Sequence, residues 1–193
     1  MMRISNIVLS GMTRLSRRIA GFAADRRAAA AVEFAALLPF MLTLYIGGVE
    51  ISQGVSADRK VTLTSRTVAD LASRATNIDN NQMTDILNAS SAVIAPFQSA
   101  NLIVTVSRVD VDTKGTTATV VWSDSYNGSP RGIGQAVTLP TALMVAKASY
   151  IWGEAQYSYT PTLGYVMTGT LTLNDTMFMS PRMSSVVCRN SVC

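Results

Sequence analysis

Between Ala28 and Val49 runs a 22-residue stretch in which Glu33 is the only charged residue. At a rise of about 1.5 Å per residue a helix of that length extends roughly 33 Å, enough to cross a hydrocarbon core of roughly 30 Å. A core helix of a soluble protein this long would carry a polar stripe. The apolar run of a cleaved secretory signal spans about 7–15 residues before an A-x-A-like site. This stretch is longer and ends in Gly47-Gly48-Val49-Glu50. The reading that follows is one membrane span near the N-terminus.

Charge orients the span. Residues 1–27 contain Arg3, Arg14, Arg17, Arg18, Arg26 and Arg27 against the single acid Asp25, whereas from Ser52 onward ten basic residues meet nine acidic ones. The net charge of +4 therefore belongs to the N-terminal segment, and no basic stripe for nucleic acid remains. Arginines on the N-terminal flank place residues 1–27 in the cytoplasm and the rest of the chain across the membrane. The leader spaces Ile4, Ile7, Val8, Met12, Leu15, Ile19 and Phe22 as an amphipathic surface helix would. Ser16-Arg17-Arg18-Ile19 only weakly matches a twin-arginine signal, because the apolar stretch does not follow directly.

Charged residues make up 15% of the chain, against about 25% in a soluble domain. There is no histidine, which removes the commonest general base and metal ligand. No nucleophile elbow or phosphate loop is present. Asp124 to Ser129, "DSYNGS", comes nearest to a D-x-S-x-S metal motif, but Tyr126 stands where a serine is required. The expectation is a non-enzymatic protein with no metal, no cofactor and no nucleic-acid partner.

A carboxylate at the bilayer centre costs on the order of 2.5–3.5 kcal/mol on insertion scales, and less near the interface. Glu33 has two readings. It is shallow enough to snorkel to water, or it has a partner. If the chain were cut between Ala28 and Ala29, the new α-ammonium would lie four residues before Glu33, and the carboxylate of one subunit could neutralise the terminus of its neighbour. Pro39 removes one helical hydrogen bond and marks a kink or a tolerated membrane proline. Glu50 falls at the outer boundary and is expected to be solvated.

Beyond the span, Val61, Val68, Leu71 and Ala72 continue a helical period up to the break "TNIDNN", Thr76 to Asn81. A second amphipathic helix runs through Met83, Ile86, Leu87, Val93 and Ile94 and ends before Pro96. The period then becomes two. "NLIVTVSRVDVD", a turn at Thr113-Lys114-Gly115 and "TTATVVWSDSY" read as a hairpin. Met144–Tyr159 reads as a third strand, bulged at Gly153, and Gly169–Met179 as a fourth, with "YNGSPRGIGQ" an exposed loop. Tyr150, Trp152, Tyr157, Tyr159 and Tyr165 are expected in a sheet face and its core rather than on an adhesive surface. Cys188 and Cys193 form either a small disulfide loop suited to an oxidising compartment or two free thiols on a tail. The expected fold class is α+β, a long N-terminal helix, membrane-embedded in its first half, followed by a second helix and a small antiparallel β-sheet. The expected organisation is a leader over 1–27, a transmembrane helix over 28–51, a helical part over 52–96, a β domain over 97–181 and a cysteine-bearing tail over 182–193.

The run "RRAAAAVEFAALLPF", Arg26 to Phe40, resembles the type IV prepilin processing motif: basic leader, small residue, four residues, Glu, aromatic, apolar helix. With "GGVEIS" downstream, and through Arg26-Arg27, Val32-Glu33-Phe34, Leu38-Pro39 and Glu50, it more closely resembles the TadE-like family of the tight-adherence (Tad/Flp) pilus system over about 45 residues. The resemblance implies a pilin-like architecture and a pseudopilin or minor pilin, cut between Ala28 and Ala29 by a prepilin peptidase, with Glu33 and Phe34 in the processing and assembly motif. It implies as partners other pilins and pseudopilins, Tad assembly-platform proteins, the peptidase and membrane lipid. The implied location is a bacterial inner membrane with a periplasmic C-terminal domain, or an extracellular pilus. Ala28 stands where the motif commonly has Gly. The alternative is an uncleaved single-pass scaffold of the same machinery.

Overall fold

The structure, a computed structural model, describes residues 26–161, 164 and 168–193. The leader helix through Ile4 to Phe22, the Ser16–Ile19 motif and Tyr165 lie outside the described residues. The fold is α+β: a long apolar N-terminal helix, a second helix and an antiparallel sheet. Two compact units divide the chain, 1–49 and 50–193. Helix α1 is Arg26–Ser73, and only its part from Glu50 onward belongs to the second unit.

Within that second unit α1 buries Ala57, Val61, Thr64, Ser65, Val68, Ala69, Ala72 and Ser73, a helical stripe of mostly small side chains. Strand β1 is Asn77–Ile78 and helix α2 is Asn80–Ile94. The "TNIDNN" break does more than interrupt. Asp79 caps α2 by accepting from the Gln82 amide at 2.8 Å, while the Gln82 side chain accepts from the Asp79 amide at 3.0 Å. This reciprocal box satisfies two of the helix's otherwise orphaned donors. Helix α2 buries Met83, Leu87, Ser90 and Ile94, the periodic set apart from the half-buried Ile86 and Val93.

Strands β2 (Leu102–Val111), β3 (Ala118–Tyr126), β4 (Ala136–Val137), β5 (Ser149–Tyr159) and β6 (Leu171–Met179) form one antiparallel sheet in the order β4-β3-β2-β5-β6. The tail contributes β7, Cys188–Arg189, which pairs in parallel with β1. Central β2 is buried on both faces. Leu102, Val104 and Val106 join the helix-side core with Trp122, Ile151, Ala155, Tyr157 and Tyr159. Val109 and Val111 join a second cluster with Val120, Leu139, Tyr150 and Trp152. Tyr150, Trp152, Tyr157 and Tyr159 are thus core residues.

Three expectations about the strands are corrected. The third strand begins at Ser149, not Met144, because the stretch before it is a short 3₁₀ turn, Thr141–Leu143, followed by Lys147 in the left-handed region. The fourth begins at Leu171. Gly153 is not a bulge, since it pairs in regular register with Val106 on one side and Met177 on the other. The register shift is in β3, where Arg108 faces Trp122 and the next residue, Val109, faces Val120. Val121 is the extra residue, and it turns Trp122 to the helix side while Val120 stays on the other.

Gly153 has a different purpose. A Cβ there would lie 2.6 Å from the Ser65 carbonyl oxygen and 2.9 Å from Ala69 Cβ, so its absence sets how closely α1 approaches the sheet. Gly153→Ala is expected to destabilise the second unit by about 1–3 kcal/mol, read as a lower urea midpoint. Gly48→Ala, whose Cβ would meet nothing within 4 Å, should leave that midpoint unchanged.

The β2–β3 turn is closed by Asp112. Its carboxylate accepts from the Thr117 amide at 3.1 Å, the Thr116 amide at 2.7 Å and the Thr116 hydroxyl at 2.9 Å. These bonds, that from the Thr117 amide foremost, favour the ionised form and lower the Asp112 pKa from 3.8 to about 2. A depressed carboxylate stabilises the turn above its unfolded pKa and loses that contribution as pH falls through the folded value. The Thr116 and Thr117 amide NMR signals should therefore titrate with a midpoint near 2 rather than near 3.8.

Candidate functional site: the apolar half of the first helix

The alanine- and leucine-rich composition of residues 28–49 favours helix, and α1 continues through Pro39. Proline has no N–H to give to the carbonyl four residues back. One turn further on, the Thr43 hydroxyl donates to the Pro39 carbonyl oxygen at 2.8 Å. A helical Thr hydroxyl is thereby satisfied by its own helix and needs no water.

The side chains here are large, apolar and exposed on every side. Val32, Phe34, Phe40, Met41, Leu44 and Tyr45 all retain more than three-fifths of their surface. An 18-residue window within Ala29–Ser73 has a mean hydropathy of 1.8, and none of it is buried inside the protein. Each such side chain forgoes roughly 1.5–3 kcal/mol if left in water. A helix apolar all round needs apolar surroundings that the described residues do not supply. It is long and apolar enough to cross a membrane.

Ala28 and Ala29 lie within α1, in its first turn, and Glu33 and Phe34 follow about one turn later. Ala29 and Glu33, four apart, share a face. Glu33 is exposed, so the described residues give it no buried environment of its own. Pro39 lies on the same helix, while Cys188 and Cys193 belong to the second unit.

Glu50 overturns its expectation. It belongs to the second unit and is only 2% exposed. Its charge reaches Tyr159: burial first, then the Glu50 carboxylate, pushes the Tyr159 hydroxyl pKa upward. The boundary of the apolar stretch and the boundary of the folded domain coincide here, so a residue that reads as a solvated end is instead the first buried residue of the domain.

Polar residues that the sequence pattern did not single out organise the second unit. Arg108, 3% exposed, gives Nε to Asp110 at 2.9 Å and to the Ser149 hydroxyl at 3.2 Å. Arg131 grips Glu154 through two bonds of 2.7 and 2.6 Å, its guanidinium 4.0 Å above the Trp152 ring. That pair lines a groove of about 340 Å³ together with Thr105, Gln156, Asn174 and Thr176. Asp124, the acid of "DSYNGS", accepts from Arg189 at 2.9 and 3.2 Å. The available signal was Arg108, a charge in the middle of a β-branched strand.

Fold and helix together define an α+β chain with, among the described residues, one apolar helix of membrane-crossing length. Residues 28–70 match the family model TadE, described as TadE-like protein, which is the family the residue pattern resembles. The match covers residues 28–70 of the 193, the apolar stretch and the helix beyond it. No curated protein matches the chain. No solved structure matches it either.

If lipid surrounds this helix, a charge at its middle must weaken insertion. Leu38→Lys, costing on the order of 2.5–3.5 kcal/mol, should move the protein into the carbonate-extractable fraction of isolated membranes. Leu38→Ile should stay in the pellet.

Proposed function

We propose that the protein is a TadE-like pseudopilin or minor pilin that takes part in assembling a Tad/Flp type IV pilus, structural rather than catalytic. The observation that carries this reading is the helix of residues 28–49. It presents large apolar side chains on all sides, bears the single charge Glu33, and lies in the segment that matches the TadE-like family. An all-round apolar helix serves two environments in turn, lipid before assembly and other helices after it.

In this reading the prepilin peptidase cuts between Ala28 and Ala29, and Phe34 follows the Glu33 of the motif. The Glu33 carboxylate of one subunit then neutralises the Ala29 ammonium of its neighbour, which sets register, because each charge alone is costly in an apolar bundle. Pro39 bends the helix locally. Partners are other pilins and pseudopilins and the Tad assembly platform, in an inner membrane with the C-terminal domain in the periplasm. The second reading, an uncleaved single-pass scaffold of the same machinery, is favoured by one observation: Ala28 is bulkier than the glycine common before the cut.

N-terminal sequencing and intact mass of the protein, purified from membranes with and without the prepilin peptidase, separate the two. A peptidase-dependent terminus at Ala29 is the expected result, with Glu33→Ala cleaved normally but at least about tenfold depleted from sheared pili. A chain that begins at Met1 in both strains rejects the pseudopilin reading in favour of the scaffold.

A further inference from the structure

The Cys188–Cys193 pair, five residues apart, is bonded in the structure. The loop it closes is too short to add much to global stability through chain entropy. Its effect is local. Asn190 and Ser191, between the two cysteines, have φ of 49° and 63°. Two consecutive non-glycine residues in the left-handed region form an intrinsically unfavourable turn. Within the loop, the Arg189–Val192 backbone pair, at 2.9 Å in each direction, spans the turn alongside the disulfide.

That strained turn carries the contacts that fasten the tail. The Asn190 amide donates to the Ile78 carbonyl at 3.0 Å, and the Ser191 amide to the Asn77 side chain at 2.7 Å. The Cys188 amide donates to the Thr76 carbonyl at 3.0 Å. Arg189 spans from the Ile78 carbonyl to Asp124 on β3. From beneath, the buried Arg108 donates to the Cys193 carbonyl at 3.1 Å, and Trp122 Nε1 to the Val187 carbonyl at 2.9 Å. The tail thus ties the α1–α2 junction to the central strands.

We propose that the disulfide is a redox clasp, closed by a disulfide-bearing oxidant of the exported compartment, and that reduction frees the tail from β1 and from Arg108 while the sheet stays folded. Closure balances as thiol–disulfide exchange. The Cys193 thiolate, on an exposed residue, attacks the oxidant's disulfide and expels one of its sulfurs. The Cys188 thiolate then attacks the Cys193 sulfur and expels the second. Two electrons pass to the oxidant, which leaves as a dithiol holding the two protons the cysteines shed. The proposal rests on the exported placement of the second unit given above.

The test uses the full chain in detergent, never previously reduced. In a separate sample, cells are quenched in acid and the denatured protein is labelled with a maleimide polymer, so that each free thiol adds one mass increment. Trypsin is applied to the chain in detergent with and without dithiothreitol, and samples are acid-quenched and fully reduced before mass analysis so that nicked loops are counted. No polymer adduct is expected on the chain from cells. Reduction should speed cutting after Arg189 by about tenfold, with cutting after the exposed Lys114 unchanged. The Cys188→Ser/Cys193→Ser chain should match the reduced wild type. Two adducts in cells would overturn the exported placement and the clasp with it. An oxidised chain whose Arg189 cutting is indifferent to reduction would overturn the clasp alone.

Discussion

The second unit depends on how closely one helix approaches one strand. Gly153 lies in the middle of β5 under Ser65 and Ala69, where any Cβ would collide with helix backbone. The helix answers with small side chains, Ala57, Ser65, Ala69 and Ala72, so the two backbones meet closely and the larger residues Val61 and Val68 interdigitate beside them. The aromatic residues fill the flanks of that contact: Tyr157 and Tyr159 on the helix side, with Phe97 against both rings.

One helix therefore carries two kinds of sequence for two surroundings. From Val32 to Tyr45 it presents large apolar side chains that none of the described residues cover. From Ala57 it presents a small-residue stripe to a sheet. The change is abrupt, and buried Glu50 stands at it. A carboxylate that would be costly in lipid is buried in the folded domain, where its charge acts on the Tyr159 hydroxyl. The TadE-like match covers residues 28–70, which is to say both kinds of sequence in the helix and little else.

Much of this was legible because it is periodic. A run without charges announces a helix that needs an apolar solvent, and a change of period from near 3.6 to 2 announces the sheet after Pro96. What escaped notice is non-local. Strands β1 and β7 have two residues each and pair across more than a hundred positions, so no local pattern marks them. Val121 leaves the alternation of "TTATVVWSDSY" intact to the eye, yet splits Val120 and Trp122 between two faces, because the bulge is a property of the pairing with β2. Gly153 signalled a departure from ordinary strand geometry, but the cause was an approaching helix, not an inserted residue. Glu33 and the Ala28–Ala29 bond were readable as a motif, and among the described residues Glu33 is exposed.

The proposed function requires that residues 28–49 span a lipid bilayer and hold the folded second unit on its outer side. Protease protection in spheroplasts tests this most directly, using chains tagged separately at the N-terminus and the C-terminus. Protease added outside should remove the C-terminal tag and, in a strain lacking the prepilin peptidase, leave a protected N-terminally tagged fragment that ends near Glu50. A C-terminal tag that survives until the spheroplasts are lysed would contradict the account.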